Sequence, residues 1–492
     1  MIEIQRFSAA GLLAGLACFL FSMVFAGSAE ATPAFARRYQ TSCVTCHSTF
    51  PVLNAVGDAF RLDGYRFKDD EQYLKQKALE LGDEAYKKLW PDAMWPGHIP
   101  ATSGLSASAR MFAEIDVGDT NPTREADVTF VLPHEAEINW CGNLGEGIAA
   151  YGDIIFEQED AGTREMDSWA MAKAWIELSD LAGPEDMVNL RVGTVGVHTI
   201  GLYTAKDEQG MGLQYYQFNT WQLPGVKTEG GTSVISFSGN TFFNQPQLGL
   251  ELCGFGRSWL YYGGVVNGNM EEDPGDLYFV GVGKNTDTKD YYAGMAWKFG
   301  GLGFNGASGS GENDPLASRA EFWRDDNITL TAFGYTGTAQ IIVDRYDDNT
   351  FTSHTETISK DDFWRLSIGA RGQYRDLILN AGYQWAHDDN PFGVLLPDDV
   401  DATAWFVETA YFVYPWLIPY ARYEEVNMDI PYADPAGDIR IEDKQGAEVL
   451  NVGVKAHLRA NVSVAVEYQD FFGPEFNTTT DELLFIQLMF AY

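Results

Sequence analysis

Asn451-Val452-Gly453-Val454-Lys455-Ala456-His457-Leu458-Arg459 is followed, two residues on, by Val462-Ser463-Val464-Ala465-Val466-Glu467-Tyr468-Gln469. In the first stretch Val452, Val454, Ala456 and Leu458 share one face, and Asn451, Gly453, Lys455, His457 and Arg459 take the other. The second sets Val462, Val464, Val466 and Tyr468 against Ser463, Ala465, Glu467 and Gln469. A period of two places successive side chains on opposite faces of a strand, so each stretch reads as a strand with one apolar and one polar face. The tight connection Arg459-Ala460 makes them antiparallel neighbours.

The same pattern extends back through the chain. Trp364, Leu366, Ile368 and Ala370 oppose Arg365, Ser367, Gly369 and Arg371. Leu377, Leu379, Ala381, Tyr383 and Trp385 oppose Asn380, Gly382 and Gln384, with Ile378 breaking the alternation. Short connections at Tyr374-Arg375-Asp376 and Tyr414-Pro415-Trp416 alternate with long polar stretches at Asp344 to Asp362, Asp388 to Asp401 and Asp429 to Gly446. Short turns at one end and long loops at the other distinguish an outer-membrane barrel from a soluble β-sandwich, which also alternates. Leu484, Ile486, Leu488, Phe490 and Tyr492 form a last apolar face ending on an aromatic terminus, similar to the signature by which barrel proteins are recognised for insertion. Aromatic residues make up 14% of the chain, enough to furnish girdles at both membrane interfaces.

From about Leu105 onward the blocks give an antiparallel transmembrane β-barrel of about 16 strands, with 18 as the upper reading. The register from His198 to Gly256 is the least readable part. Past the N-terminus no run approaches the roughly 20 apolar residues that a membrane helix needs. A formal net charge of −37 argues against nucleic acid as a partner and favours metal cations.

The N-terminal part has a different composition. Residues 1–31 read as a signal peptide: Arg6 in a short basic region, an apolar run from Ala9 to Phe25, and Ala29-Glu30-Ala31 as the cleavage site. Cys18 belongs to that segment. Cys43-Val44-Thr45-Cys46-His47 follows, the C-x-x-C-H pattern of covalent haem attachment. Two thiols add to the haem vinyl groups, and the adjacent His47 becomes the proximal iron ligand. A redox disulfide would want a thioredoxin-like context and a zinc site a second ligand pair, neither of which the sequence offers. Pro51 to Arg61 places Leu53, Val56 and Phe60 on one helical face, expected to cover the haem, with Gly64 as a stop. Glu71 to Trp90 reads as a second, charged helix with Leu74, Ala78 and Leu81 at helical spacing.

For the sixth iron position the candidate is Met94, heading the rigid turn Trp95-Pro96-Gly97, with His98 as runner-up and an open site as a third reading. His134, His198, His354, His387 and His457 lack metal-ligand spacing and read as lumen or loop residues. Cys141 and Cys253, each preceding Gly, are placed in periplasmic turns, either paired or as two thiols.

Ala31 to Arg37, Cys43 to His47 and Pro51 to Tyr65 together resemble the fused cytochrome-porins of iron-oxidising bacteria. That resemblance implies a small α-helical monohaem c-type cytochrome domain over residues 32–100 joined to a porin-like outer-membrane barrel over 101–492. It also implies one haem c, Fe(II) as extracellular donor, a periplasmic cytochrome c as acceptor and outer-membrane lipid around the barrel. The haem domain would lie on the periplasmic side or in the lumen. Electron export to an external acceptor, and a passive porin carrying a haem plug or redox sensor, stand as alternatives.

Overall fold

The computed structural model describes residues 35, 39, 45–49, 52–65, 67, 79–80, 98–99, 104–116, 128–145, 147–157, 168–195, 226–227, 233–235, 247–267, 289–307, 324–347, 352–391, 399–433, 439–459, 462–472 and 482–491. Residues 1–31, read above as a signal peptide, and Cys43, Met94 and Tyr492 lie outside them.

The N-terminal part comprises the strands β1 (His47–Thr49) and β2 (Val52–Leu53), the helix α1 (Ala55–Leu62), and the pair β3 (Leu79–Glu80) and β4 (His98–Ile99). Helix α1 starts later than the sequence pattern suggested. Asn54 is the reason: its Oδ1 accepts from the amides of Val56 and Gly57, each at 3.0 Å, so the helix begins after it. At the other end Gly64 and Tyr65 take positive φ angles of 63° and 61°, ending the helix at the expected glycine. Within the stretch expected as a second helix, Leu79 and Glu80 are instead a strand pairing with Ile99 and His98. Pairing across strands at those two residues is incompatible with an unbroken helix over 71–90.

The barrel strands are β5 (Gly104–Asp116), β6 (Val128–Gly145), β7 (Ile148–Glu157), β8 (Ser168–Leu178) and β9 (Asn189–Val195). After a separate two-stranded pair, β10 (Val226–Lys227) and β11 (Ser233–Ile235), come β12 (Gln247–Phe255), β13 (Trp259–Val266), β14 (Asp290–Gly300), β15 (Asn327–Asp347) and β16 (Thr352–Tyr374). The ring is completed by β17 (Leu377–Asp388), β18 (Val400–Tyr411), β19 (Leu417–Ala433), β20 (Ile439–Arg459), β21 (Val462–Phe472) and β22 (Glu482–Ala491). Each pairs antiparallel with its sequence neighbour, β9 pairs with β12, and β22 returns to β5. Among the described residues, sixteen strands therefore form one closed ring with no free edge.

Outside and inside follow the alternation. Trp364, Leu366 and Ile368 are 43%, 45% and 49% exposed on the outer face, while Arg365 and Ser367 between them are 3% and 1% exposed on the inner one. Ile486 and Phe490 of the closing strand point outward, and Phe485, Gln487 and Met489 inward. No helix of the described residues is long and apolar enough to cross a membrane, which says nothing of strands.

The long polar stretches are themselves partly strand. β15 and β16 run 21 and 23 residues and pair as far as Asp347 with Thr352. A tilted strand needs about 9–11 residues to cross a bilayer, so this hairpin continues well past the apolar band as a two-stranded ribbon.

Candidate functional site

Thr45, Cys46 and His47 are fixed by the residues that begin α1. The amide of Asn54 donates to the Cys46 carbonyl at 2.9 Å, and its Nδ2 donates to the Thr45 carbonyl at 3.1 Å. One side chain thus caps the helix and ties it to the motif. Gly57 completes the clamp, because a β-carbon there would lie 2.1 Å from the Cys46 carbonyl oxygen. His47 pairs with Leu53, so the segment doubles back on β2 as a short antiparallel pair.

An apolar cradle stands beside the motif. Tyr39, Ala55, Val56, Phe60, Phe67 and Leu302 form one buried cluster, with Phe35, Cys46 and Tyr65 packed against it. Phe60 meets Phe35 edge-on at 4.9 Å and Phe67 tilted at 4.7 Å. Val56 and Phe60 share that face as the helical spacing indicated, whereas Leu53 points elsewhere. A thiol beside a wall of aromatic and aliphatic side chains, with an imidazole on the next residue, gives donor types and a surface suited to a c-type haem.

This module sits in the lumen at the short-turn end. Val52 packs with Ile378, Ala410, Phe412, Ile418 and Tyr420 of the barrel wall. Leu53 and Leu62 join a cluster with Phe255, Leu260, Tyr262 and Phe304. Arg371 donates Nη2 to the Leu53 carbonyl and brings Nη1 to 3.6 Å from Asp58. Tyr65 stacks on Tyr151 at 5.7 Å and Trp175 at 6.0 Å. A β-carbon on Gly64 would come within 2.8 Å of Ala149 Cβ, so helix end and wall are in close contact. These wall residues adjoin the turns after β6, β12, β14, β16 and β18. The interruption at Ile378 is thereby explained: it is a lumen-facing apolar residue because it touches Val52 rather than water.

His457 faces the same end of the lumen, on the side of β20 that carries Asn451 and Lys455, and lies within electrostatic reach of His47. No sequence spacing reveals that proximity across some four hundred positions; only the barrel's register brings it about. Met94 lies outside the described residues, and of His98 only the backbone pairing is described. Cys141 and Cys253 are on strands, not in turns. They pair with Tyr151 and Tyr262 on neighbouring strands, and β7, β8 and β9 stand between their two strands. At about 4.8 Å per strand spacing that separation exceeds any disulfide span.

Elsewhere the lumen wall carries paired charges. Arg191 bonds Glu177 and reaches Glu251 at 3.2 Å, and Arg422 bonds Glu424 at 2.6 Å. At the long-loop end His387 stands between Asp401 at 2.8 Å and Asp389 at 2.9 Å. No group of three His, Cys, Asp or Glu side chains among the described residues is arranged to hold a metal.

Comparison with known proteins adds the following. No family model matches the chain, and no curated protein does. Among solved structures, a loop-deletion form of OmpT, an outer membrane protein of Vibrio cholerae, is 14% identical over 80% of this chain and 99% of its own, with a TM-score of 0.45. OmpF of Salmonella typhi, in complex with daunomycin, is 12% identical over 79% of this chain and 97% of its own, also at 0.45. OprB of Pseudomonas putida is 11% identical over 79% and 93%, again at 0.45. The assignment of the fold rests on the strand pairing described above.

Proposed function

We propose that this chain is an outer-membrane c-type cytochrome that passes electrons from an extracellular donor, Fe(II), to a periplasmic electron carrier. The observation that carries the reading is the lodging of Cys46 and His47, clamped by Asn54 and Gly57, in the short-turn mouth of a barrel with an apolar outer face. Short turns face the periplasm in barrels of this kind, which would put the motif within reach of a soluble carrier.

Cys43 and Cys46 would hold haem c through thioethers and His47 would supply the proximal nitrogen, with Met94 as the distal donor. When bound, the haem supplies a one-electron iron couple. The chain's own residues then have separate tasks. Asn54 and Gly57 fix the Cys46 backbone, so the imidazole of the next residue is held in one orientation relative to α1. The Phe35, Phe60 and Tyr65 rings exclude water from that surface. Arg371 holds the module in the lumen. Each Fe(II) that enters the lumen from the long-loop end and is oxidised to Fe(III) at the module gives one electron to one carrier inside. Outer-membrane lipid is the partner for the band of Trp364, Leu366 and Ile368.

The test is anoxic addition of Fe(II) to the purified protein, followed at the Soret band. Reduction on a timescale of seconds to minutes is expected; a spectrum unchanged by Fe(II) but reducible by dithionite would remove iron as the donor.

A further inference from the structure

At the opposite end of the lumen from the haem motif, beneath the long loops, two carboxylates meet without a donor to share. Asp361 of β16 is 0% exposed and Asp388 of β17 is 1% exposed. Asp361 Oδ1 accepts from the amide of Asn390 at 2.8 Å, and Asp388 Oδ1 accepts from Arg365 Nη2 at 2.7 Å. The Oδ2 atoms of both are buried and have no hydrogen-bond partner, and the two carboxyl groups are within hydrogen-bonding reach of one another. Asn390 adds a third buried and unpartnered oxygen, its Oδ1.

The charge around them does not balance. Asp290 lies one row along the wall, through the register Gly337 with Phe363 and Phe363 with Asp388, and hydrogen-bonds Tyr335 at 2.7 Å. Arg365, whose guanidinium also lies over the Phe363 ring at 5.1 Å, is the cation that faces all three carboxylates. Lys289, which precedes β14 and also acts on Asp290, and Lys360 of β16 are exposed. Two buried carboxyl groups within hydrogen-bonding reach of one another, each with an unpartnered oxygen, need either a shared proton or a cation between them. Two Asp oxygens and an Asn carbonyl are the hard oxygen donors that Ca(II), Mn(II) and Fe(II) prefer, and water supplies the remaining positions of such ions.

We infer that Asp361, Asp388 and Asn390 form a divalent-cation site in the lumen wall below the long loops. It goes beyond the proposed function and rests on it in one respect only: a cation moving from the loops toward the haem motif would pass this site. Binding at the site requires no haem.

The experiment is a Mn(II) titration of the full-length protein in detergent, followed by electron paramagnetic resonance at about 0.15 M salt, where diffuse attraction by surface carboxylates is screened beyond roughly 8 Å. The wild type and a Cys46→Ala variant should each bind one Mn(II) ion tightly. Asp361→Asn with Asp388→Asn should weaken that binding by at least about tenfold, and Asn390→Ala should weaken it less. Glu185→Gln, which removes one exposed carboxylate in the connection after β8 at the short-turn end, should leave it unchanged. Heat-modifiable migration on gels checks that each variant is a folded barrel. Equal Mn(II) affinity in the wild type and a folded double variant would overturn the site, and so would equal losses from Glu185→Gln. Loss of haem redox activity with Mn(II) binding intact would sink the proposed function and leave this site standing.

Discussion

The carbonyl oxygen of Cys46 lies 2.1 Å from where a β-carbon of residue 57 would go, so the Cys-x-x-Cys-His motif and α1 touch through a glycine. Asn54, three residues earlier, binds the same stretch through its amide and its side chain. A helix and a motif held this closely cannot shift independently.

Gly57→Ala should therefore separate Cys46 from α1, at a cost of about 1–3 kcal/mol, the usual range for overpacking. Asn54→Ala should cost about 1 kcal/mol for the helix cap and free the Thr45 carbonyl as well. In both variants we expect a lower yield of haem-stained protein on denaturing gels, with the barrel still migrating as a folded, heat-modifiable species. Normal haem yield in both would mean that the clamp does not serve attachment.

Arg371 joins the lumen wall to the Leu53 carbonyl and to Asp58. Arg371→Ala should loosen the module, raising single-channel conductance in planar bilayers several-fold and exposing the 45–67 segment to protease. Arg371→Lys should fall between it and the wild type, because a lysine keeps the charge but not the planar fork. If the wild type already conducts as freely as Arg371→Ala, the module is no plug, and the haem-plug form of the passive-porin alternative falls.

Much of this architecture is legible in the sequence, because a strand with lipid on one side and lumen on the other must alternate. Asn451 to Gln469 and Trp364 to Arg371 show the alternation, and their inner and outer faces are as the residues indicate. Three features escape that reading. Ile378 breaks its pattern for a contact with Val52, more than three hundred positions away. The 79–80 strand is drawn from helix-prone residues by pairing with 98–99. The approach of His457 to His47 depends on how the module docks, and local pattern carries no such information.

The distal ligand can be decided by spectroscopy. Met94→Ala should abolish the near-infrared sulfur-to-iron band and lower the midpoint potential, since thioether ligation raises it. His98→Ala should leave both intact. His457→Ala is the informative third variant, because His457 lies within electrostatic reach of His47. A changed spectrum in His457→Ala with none in Met94→Ala would assign a bis-histidine iron.

β22 closes the ring against β5, from Leu483 with Asp116 to Ala491 with Ser108. Deleting Leu484 to Tyr492 leaves two unpaired edges in the apolar band, each buried unpaired backbone group costing several kcal/mol. The truncated chain should fail to reach the outer membrane and appear in periplasmic aggregates; membrane fractions holding it at normal levels and heat-modifiable would contradict closure through this strand.

A covalent haem in the mouth of the barrel is tested by haem staining of the membrane-extracted protein after denaturing electrophoresis and acid-acetone extraction. The wild type should keep its haem through both, and Cys43→Ala together with Cys46→Ala should lose it while still folding as a barrel. Release of all haem from the wild type by acid-acetone, or its absence from a correctly exported and folded chain, would contradict the account.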